Sequence, residues 1–286
     1  MDRPLGGLIS ELRERLEGVG IDQSLAEVEL ILCHVLQCDR ITLYLDGIKL
    51  LTPEKLKQVE DIVEKRLTRH PLQFILGEAW FHGRRFFVNE HVMAPTPETE
   101  LLCEQALAFI EARDLDSPRI VDVGIGSGVV SVTLGCELKN ASIVGLDISE
   151  EAIEVAERNI ELYSLSERIE VRQSDFFAAV QPGEEFDLIL SNPPYIAEPD
   201  YGGLDPEVKA DPKIAMTSGE DGLDAIRMFI REAPNFLAPG GRIAFEIGEK
   251  QALLIAEIVD ADNRYSDITI LQDLNERDRV VMLECR

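Results

Sequence analysis

Positive charge is scarce in this chain: 28 lysines and arginines stand against 54 aspartates and glutamates over 286 residues, a formal net charge of −26. Such a chain repels polyphosphate at long range, and a protein that lives on phosphate contacts needs the opposite sign. Duplex nucleic acid is therefore disfavoured as a partner, whereas a cationic ligand or a basic protein is easier to accommodate. No uncharged apolar run reaches the ~18 residues that a membrane span needs, and the N-terminal MDRPLGGLISELRERLEGVG holds no apolar core of signal-peptide length. The expected setting is the cytoplasm, with no membrane association. Cys33, Cys38, Cys103, Cys136 and Cys285 are odd in number and lack C-x-x-C spacing, so they read as reduced thiols. His34, His70, His82 and His91 form neither H-x-x-x-H nor H-E-x-x-H, and no metal site is expected. Hydrophobic content of 45% is that of a globular chain, and the length admits one large domain or two unequal ones.

What is present divides at about residue 75. LGGLISELRERLEGVG and SLAEVELILCHVLQ carry apolar residues at three- and four-residue spacing, and Ser24 with Glu27 reads as a capping box. TPEKLKQVEDIVEKRLTRH repeats the pattern, with Thr52 as N-cap and Pro53 at the first helical position. This helical stretch holds no catalytic constellation of its own and reads as a recognition or packing module. AWFHGRRFFVNEHVM, with aromatics around Gly83, predicts a β-hairpin connector. From residue 98 onward strands alternate with helices, the signature of a βαβ layered domain. Strands are expected at Arg119–Val123, Ser142–Asp147, Ile169–Gln173, Phe186–Ser191 and 241–247. Helices are expected at 98–113, 129–138, 150–163, 222–236 and 250–260. The tail predicts two strands in succession, an antiparallel hairpin closing an otherwise parallel sheet.

Two motifs carry chemistry. In Ile120-Val-Asp-Val-Gly-Ile-Gly-Ser-Gly128 a buried strand runs into a glycine-rich turn that opens a helix. The glycines let backbone approach a ligand, and the helix start offers unpaired N–H groups. A dinucleotide fold would place its third glycine one residue later. With Asp122 inside the strand, this spacing resembles motif I of the S-adenosylmethionine-dependent methyltransferases, though a structural tight turn is the alternative. Asp147 ends the next strand, where a carboxylate can accept from both hydroxyls of an adenosine ribose or simply cap the helix that follows. Asp175 and Phe176 end the third strand, where they flank an adenine or form a turn. The second motif, Ser191-Asn192-Pro193-Pro194-Tyr195, follows the strand FDLIL. Neither proline has an N–H, so their carbonyls and the Asn192 side-chain oxygen make a rigid group of acceptors, suited to a substrate bearing –NH2. An amide nitrogen donates its lone pair into a π system and is a poor nucleophile; holding both its hydrogens fixes it for attack. A Pro-Pro turn without chemistry is the alternative.

Asn-Pro-Pro-Tyr with the G-x-G-x-G loop resembles the amino-group methyltransferases of adenine N6 and glutamine N5. HPLQFILGEAWFHGRRFFV, the APTPETE run at 94–100, FEIGEKQ at 245–251 and DLNERDRVV resemble the HemK/PrmC family, which methylates the glutamine of the Gly-Gly-Gln motif in peptide chain release factors. The resemblance spans essentially the whole chain. It implies a seven-stranded class I (Rossmann-like) methyltransferase sheet over residues 94–286, a hairpin connector over 76–93 and a substrate-recognition domain over 1–75. It further implies S-adenosylmethionine as cofactor, S-adenosylhomocysteine as product, a release factor as protein substrate, and a monomer. The implied cofactor set is Asp122, Gly124, Ile125, Gly126, Ser127, Gly128, Asp147, Asp175, Phe176 and Asn192. The implied catalytic set is Asn192, Pro193, Pro194 and Tyr195, with Tyr195 packing on the glutamine amide. A related enzyme acting on a ribosomal protein, a DNA adenine methyltransferase and a non-catalytic nucleoside-binding module are the rivals. One departure stands out: the family usually reads Pro-Arg-Pro where this chain has Pro95-Thr96-Pro97, which removes a guanidinium from that position.

Overall fold

A computed structural model describes residues 5–286. Five helices come first: α1 (Leu5–Glu17), α2 (Ser24–Leu36), α3 (Arg40–Leu50), α4 (Pro53–Leu67) and the short α5 (Leu72–Leu76). Their apolar stripes close on one core in which Leu12, Leu16, Ile31, Leu32, Val59 and Val63 are fully buried. α4 starts as its sequence predicts, with the Thr52 hydroxyl oxygen accepting the Lys55 N–H at 3.3 Å and Pro53 in the first turn. Ser24 is a correction. It lies inside α2, whose N-cap is Gln23, and its hydroxyl donates to Glu17 Oε1 at 3.1 Å. Glu27 is drawn instead to Arg66, because a guanidinium offers charge-assisted hydrogen bonds that a lone backbone N–H cannot match. α3 has no counterpart among the helices expected from sequence; Asp39 starts it by accepting from the Thr42 N–H at 2.7 Å.

The chain divides into two compact units. One holds the residues up to Glu78 together with Asp205–Ala210, and the other holds Ala79–Leu204 with Asp211–Arg286. Within the first, Arg66 is only 4% exposed and donates to Glu27 at 2.7 and 3.0 Å and to Glu207 at 2.9 Å. Arg69 reaches Glu207 as well, at 2.7 Å. Burial works against the Glu207 charge, but the hydrogen bonds from Arg69 and Arg66 outweigh it and hold the carboxyl down at about 2.

A hairpin follows, of β1 (Glu78–Phe81) and β2 (Arg84–Phe87), turning through His82 and Gly83, both at positive φ. Phe81 and Phe86 bury edge to face, 6.2 Å between centroids. Then follow α6 (Pro97–Ala112), β3 (Arg119–Val123), α7 (Val129–Glu137), β4 (Ser142–Asp147), α8 (Glu150–Leu162), β5 (Ile169–Gln173) and β6 (Phe186–Ser191). A one-turn α9 (Lys213–Met216), α10 (Asp224–Glu232), β7 (Leu237–Glu246), α11 (Ala252–Asp260), β8 (Tyr265–Gln272) and β9 (Asp278–Cys285) complete the chain. The helix expected over 222–236 ends at Glu232 and tightens into a 3-10 turn, because Pro234 has no N–H to continue it.

The seven strands lie in the order β5-β4-β3-β6-β7-β9-β8. β3 to β7 pair in parallel, and β9 runs antiparallel between β7 and β8. Alternate residues feed two cores. Ile120, Leu188, Leu190 and Ala244 face α6, α7 and α8, whereas Val121, Ile189, Ile243 and Phe245 face α10 and α11. The strand order reverses at β3, with β4 on one side and β6 on the other, so the loops after β3 and β6 flank a crevice. Among the described residues no helix is long and apolar enough to cross a membrane.

Asn159 of α8 locks the hairpin to this crevice. Fully buried, it accepts the Phe87 N–H at 2.7 Å and donates to the carbonyls of Phe87 at 2.9 Å and Ser127 at 2.8 Å. Asn159→Ala strands all three backbone groups and is expected to lower the unfolding free energy by about 2–4 kcal/mol. Urea denaturation reads the loss as a shifted midpoint with an unchanged slope.

Candidate functional site

The loop between β3 and α7 is shaped by its own backbone. Gly126 sits at φ +53°, in the left-handed region, and nothing lies within 4 Å of where its Cβ would be, so the backbone there is bare to the crevice. The N–H groups of Gly124 and Ile125 both donate to the Leu146 carbonyl, at 2.7 and 2.9 Å, which ties the loop to the end of β4. Gly128, at φ +79°, is the left-handed residue from which α7 starts, and it packs against Ala156 of α8.

Asp147 closes β4. Its Oδ2 accepts the Gly126 N–H at 2.9 Å and its Oδ1 accepts the Ser149 N–H at 3.0 Å. The helix cap proper is Ser149, whose hydroxyl oxygen accepts the Ala152 N–H at 3.1 Å, so Asp147 is spared that task. After β5, the Ser174 hydroxyl donates to the Phe176 carbonyl at 2.7 Å and accepts from the Ala179 N–H at 2.9 Å. That brace holds Phe176 at φ +46°, a conformation that costs about 1–3 kcal/mol for a bulky residue. After β6, the Ser191 hydroxyl donates to the Val123 carbonyl at 2.7 Å, so the two chemistry-bearing loops are stitched together where their strands end.

These loops line one cavity of about 430 Å³, within the ordinary range for a small-molecule site. Of the residues singled out by sequence, Asp122, Gly124, Ile125, Gly126, Ser127, Asp147, Asp175, Phe176, Asn192, Pro193 and Pro194 line it. Gly128 and Tyr195 are outside the lining. Tyr195 turns inward, its hydroxyl donating to Glu246 Oε1 at 3.1 Å, while its carbonyl is held by Gln251 Nε2 at 2.9 Å. Ile148, Ile214 and Met228 add apolar walls that sequence reasoning did not single out. Thr99 and Glu246 were missed as well, although both lie within the APTPETE and FEIGEKQ stretches. Glu246 is 1% exposed; the Thr99 hydroxyl donates to its Oε2 at 2.7 Å and in turn accepts Asn192 Nδ2–H at 3.1 Å. Among the described residues no cluster of histidine, cysteine or carboxylate side chains could hold a metal ion.

Asp122 sits beneath the glycine loop, 2% exposed, with its Oδ2 accepting the Ser131 hydroxyl at 2.7 Å. Burial pushes its carboxyl up to about 7, against the opposing pull of the Ser131 hydrogen bonds. A folded-state value raised above the unfolded one favours folding below the unfolded value, about 4, and that benefit is lost as pH climbs towards 7. Asp122→Asn keeps an acceptor for Ser131 but cannot ionise. Its stability relative to the parent is expected to change little with pH below about 4, to rise between about 4 and 7, and to level off above. Denaturation midpoints across that range check the profile, and a difference independent of pH would contradict it.

Comparison with known proteins accords with this geometry. Residues 7–77 match the PrmC N-terminal domain family and residues 99–202 match the methyltransferase small domain family. The chain is 38% identical over 259 residues to the release factor glutamine methyltransferase of Bacillus cereus, a match that spans 90% of this chain and 91% of that one. It is 41% identical over 270 residues to the release factor glutamine methyltransferase of Cereibacter sphaeroides, covering 93% of each. Among solved structures, the catalytic domain of hMettl16 in complex with MAT2A 3'UTR hairpin 6 superposes with a TM-score of 0.57 at 16% identity, over 70% of this chain and 74% of that one. That likeness is one of fold. Two relatives of such identity along almost their whole length, with the glycine loop and Asn-Pro-Pro-Tyr meeting at one cavity, decide the matter: the chain belongs to the release factor glutamine methyltransferase family.

Proposed function

We propose that the protein transfers a methyl group from S-adenosylmethionine to the side-chain amide nitrogen, N5, of the glutamine in the Gly-Gly-Gln motif of peptide chain release factors. The observation that carries this is the polarity of Asn192. Its Nδ2 is committed to Thr99, which leaves Oδ1 as the end available to the cavity, beside two prolines that have carbonyls but no N–H. A site so rich in acceptors suits a carboxamide –NH2.

The residues present also fit the cofactor. Each Asp147 oxygen accepts one backbone N–H and retains a lone pair, matching the two hydroxyls of a ribose. The bare backbone at Gly124 and Gly126 admits close approach, and Ile148 and Phe176 offer apolar surface for a purine. When bound, S-adenosylmethionine supplies a methyl carbon activated by the positive charge on its sulfur. The chain's own residues do the remaining work. Asn192 Oδ1 and the carbonyls of Pro193 and Pro194 hold the two N–H hydrogens of the glutamine, which fixes the direction of the nitrogen lone pair and weakens its conjugation. The Ser191–Val123 hydrogen bond and the Gln251 grip on Tyr195 keep those acceptors rigid.

For the helical unit we infer contact with the release factor. Support comes from the match to the PrmC N-terminal domain and from α3, which leaves Ile41 and Leu45 more than 70% exposed. A net charge of −26 supports a protein partner over nucleic acid, the cytoplasm is the compartment where such a partner acts, and a monomer suffices for the chemistry.

Incubation with a purified release factor and S-adenosylmethionine should add one methyl to the Gly-Gly-Gln glutamine by peptide mass spectrometry; methylation elsewhere, or none, overturns the assignment. Asn192→Ala is expected to cut single-turnover rate by about 10²-fold or more while calorimetric affinity for the cofactor changes little, because its hydrogen bond strengthens as the nitrogen attacks. Equal losses in rate and affinity would count against that role.

A further inference from the structure

We propose that Glu246 is a positioning residue whose carboxylate, acting through the Thr99 hydroxyl, dictates which end of the Asn192 carboxamide faces the cavity. The inference deepens the glutamine-methylation reading and rests on it for its catalytic consequence, though not for its geometry.

The problem is one of symmetry. The two ends of a carboxamide are nearly the same size, so packing alone cannot tell Oδ1 from Nδ2. Only hydrogen-bond polarity can. The Thr99 hydroxyl has one hydrogen and two lone pairs. Its hydrogen goes to Glu246 Oε2, 2.7 Å away, because the carboxylate, once ionised above the value of about 7 to which burial raises it, can only accept. What remains on Thr99 Oγ1 is acceptor capacity. Its neighbour Asn192, 3.1 Å away, must therefore present a donor, and Nδ2 turns towards Thr99. The opposite end, Oδ1, is left to the cavity. Thr96 Oγ1 lies 3.3 Å from Thr99 Oγ1 and takes the second acceptor position as a donor. In this way the hydroxyl that replaces the family's usual arginine reinforces the same polarity.

Glu246 is built to impose this direction. Its other oxygen, Oε1, accepts from the Tyr195 hydroxyl at 3.1 Å, so both oxygens are held as acceptors. It ends β7, next to the strand β6 that delivers Asn192, while Thr99 comes from the first turn of α6. Among the described residues no basic side chain pairs with it directly. Burial raises its carboxyl to about 7, against the pull of the Thr99 and Tyr195 hydrogen bonds; Arg279 of β9 favours the charge from longer range, and Glu98 opposes it. A fully buried carboxylate without an ion-pair partner is costly to the fold, and a glutamine of the same shape would avoid that cost. What glutamine lacks is the acceptor-only character. Its Nε2 can donate to Thr99, which frees the Thr99 hydrogen for Asn192 Oδ1 and turns Nδ2 to the cavity, where it faces the substrate –NH2 donor to donor.

Two readouts test this. In the full-length enzyme, assayed at about pH 8.5 where Glu246 is ionised, Glu246→Gln is expected to lower kcat for release-factor methylation by about tenfold or more, with KM for the release factor and calorimetric affinity for S-adenosylmethionine within about twofold of the parent. Thr99→Val should lose a similar factor, and Thr99→Ser, which restores the hydroxyl, should recover most of it. If Glu246 only packs, Glu246→Gln leaves kcat unchanged, and Thr99→Ser and Thr99→Val fall together; either result overturns the relay. Independently of turnover, nitrogen-15-edited nuclear Overhauser spectra of the parent should place the Asn192 side-chain NH2 beside the Thr99 methyl, and in Glu246→Gln the cross-peak between them should vanish. A parent whose NH2 lies away from Thr99 refutes the relay even if methylation proceeds. A parent that shows the cross-peak but methylates no release factor refutes the substrate assignment and leaves the relay standing.

Discussion

A parallel sheet whose strand order reverses must open somewhere, and here it opens beside β3. The chain leaves β3 for β4 and β5 on one flank and returns to β6 on the other, so successive loops diverge rather than cover one another. Three hydrogen bonds keep that opening from slackening. The Leu146 carbonyl draws in the glycine loop from the β4 side, and the Ser191 hydroxyl fastens the β6 loop to Val123. Bare glycine backbone and the carbonyls of Pro193 and Pro194 are thereby presented to one volume from opposite flanks. The first can face the polar parts of a nucleoside, and the second can receive an amide.

Asp122 and Asp147 line this volume, Glu246 stands behind Thr99 and Asn192, and burial sorts the three. Asp122 and Glu246 are enclosed, and burial drives both carboxyls up to about 7. Each spends its oxygens on hydroxyl groups of the protein: Ser131 for the first, Thr99 and Tyr195 for the second. Asp147 is less enclosed, accepts only backbone N–H groups and lines the cavity with lone pairs in reserve. Burial thus separates Asp122 and Glu246, which shape the loops, from Asp147, which can meet a ligand.

Much of this was legible along the chain because its causes are local. Strands β3, β4 and β6 follow from short apolar runs, β5 from the alternation of Ile169 and Val171 with polar residues, and the antiparallel β8–β9 pair from two strands with no helix between them. The left-handed glycines and the doubled proline announce loops by themselves. Contacts between distant residues left no such mark. Thr99 and Glu246 are 147 positions apart, and nothing in either neighbourhood names the other. The hydrogen bond from the Tyr195 hydroxyl to Glu246, 51 positions away, which sets one edge of that ring against the core, left no local mark either. Ser24 misled for the same reason. A local capping pattern was overridden by Arg66, which takes Glu27 for itself.

Glu207 gives the helical unit an unusual kind of ownership. The acid that Arg66 and Arg69 share is encoded some 138 to 141 positions downstream of them, in a short segment that the chain returns to the unit before resuming the sheet domain. The unit is consequently not a bead that could be snipped free at Glu78 or appended intact to another protein. A fragment ending there would keep its helices but carry two guanidinium groups stripped of their shared acid, one of them deep in its interior. Insertions and deletions that shift the 205–210 segment strike at this ion cluster, so the helical unit inherits the length constraints of a loop far away in the primary structure.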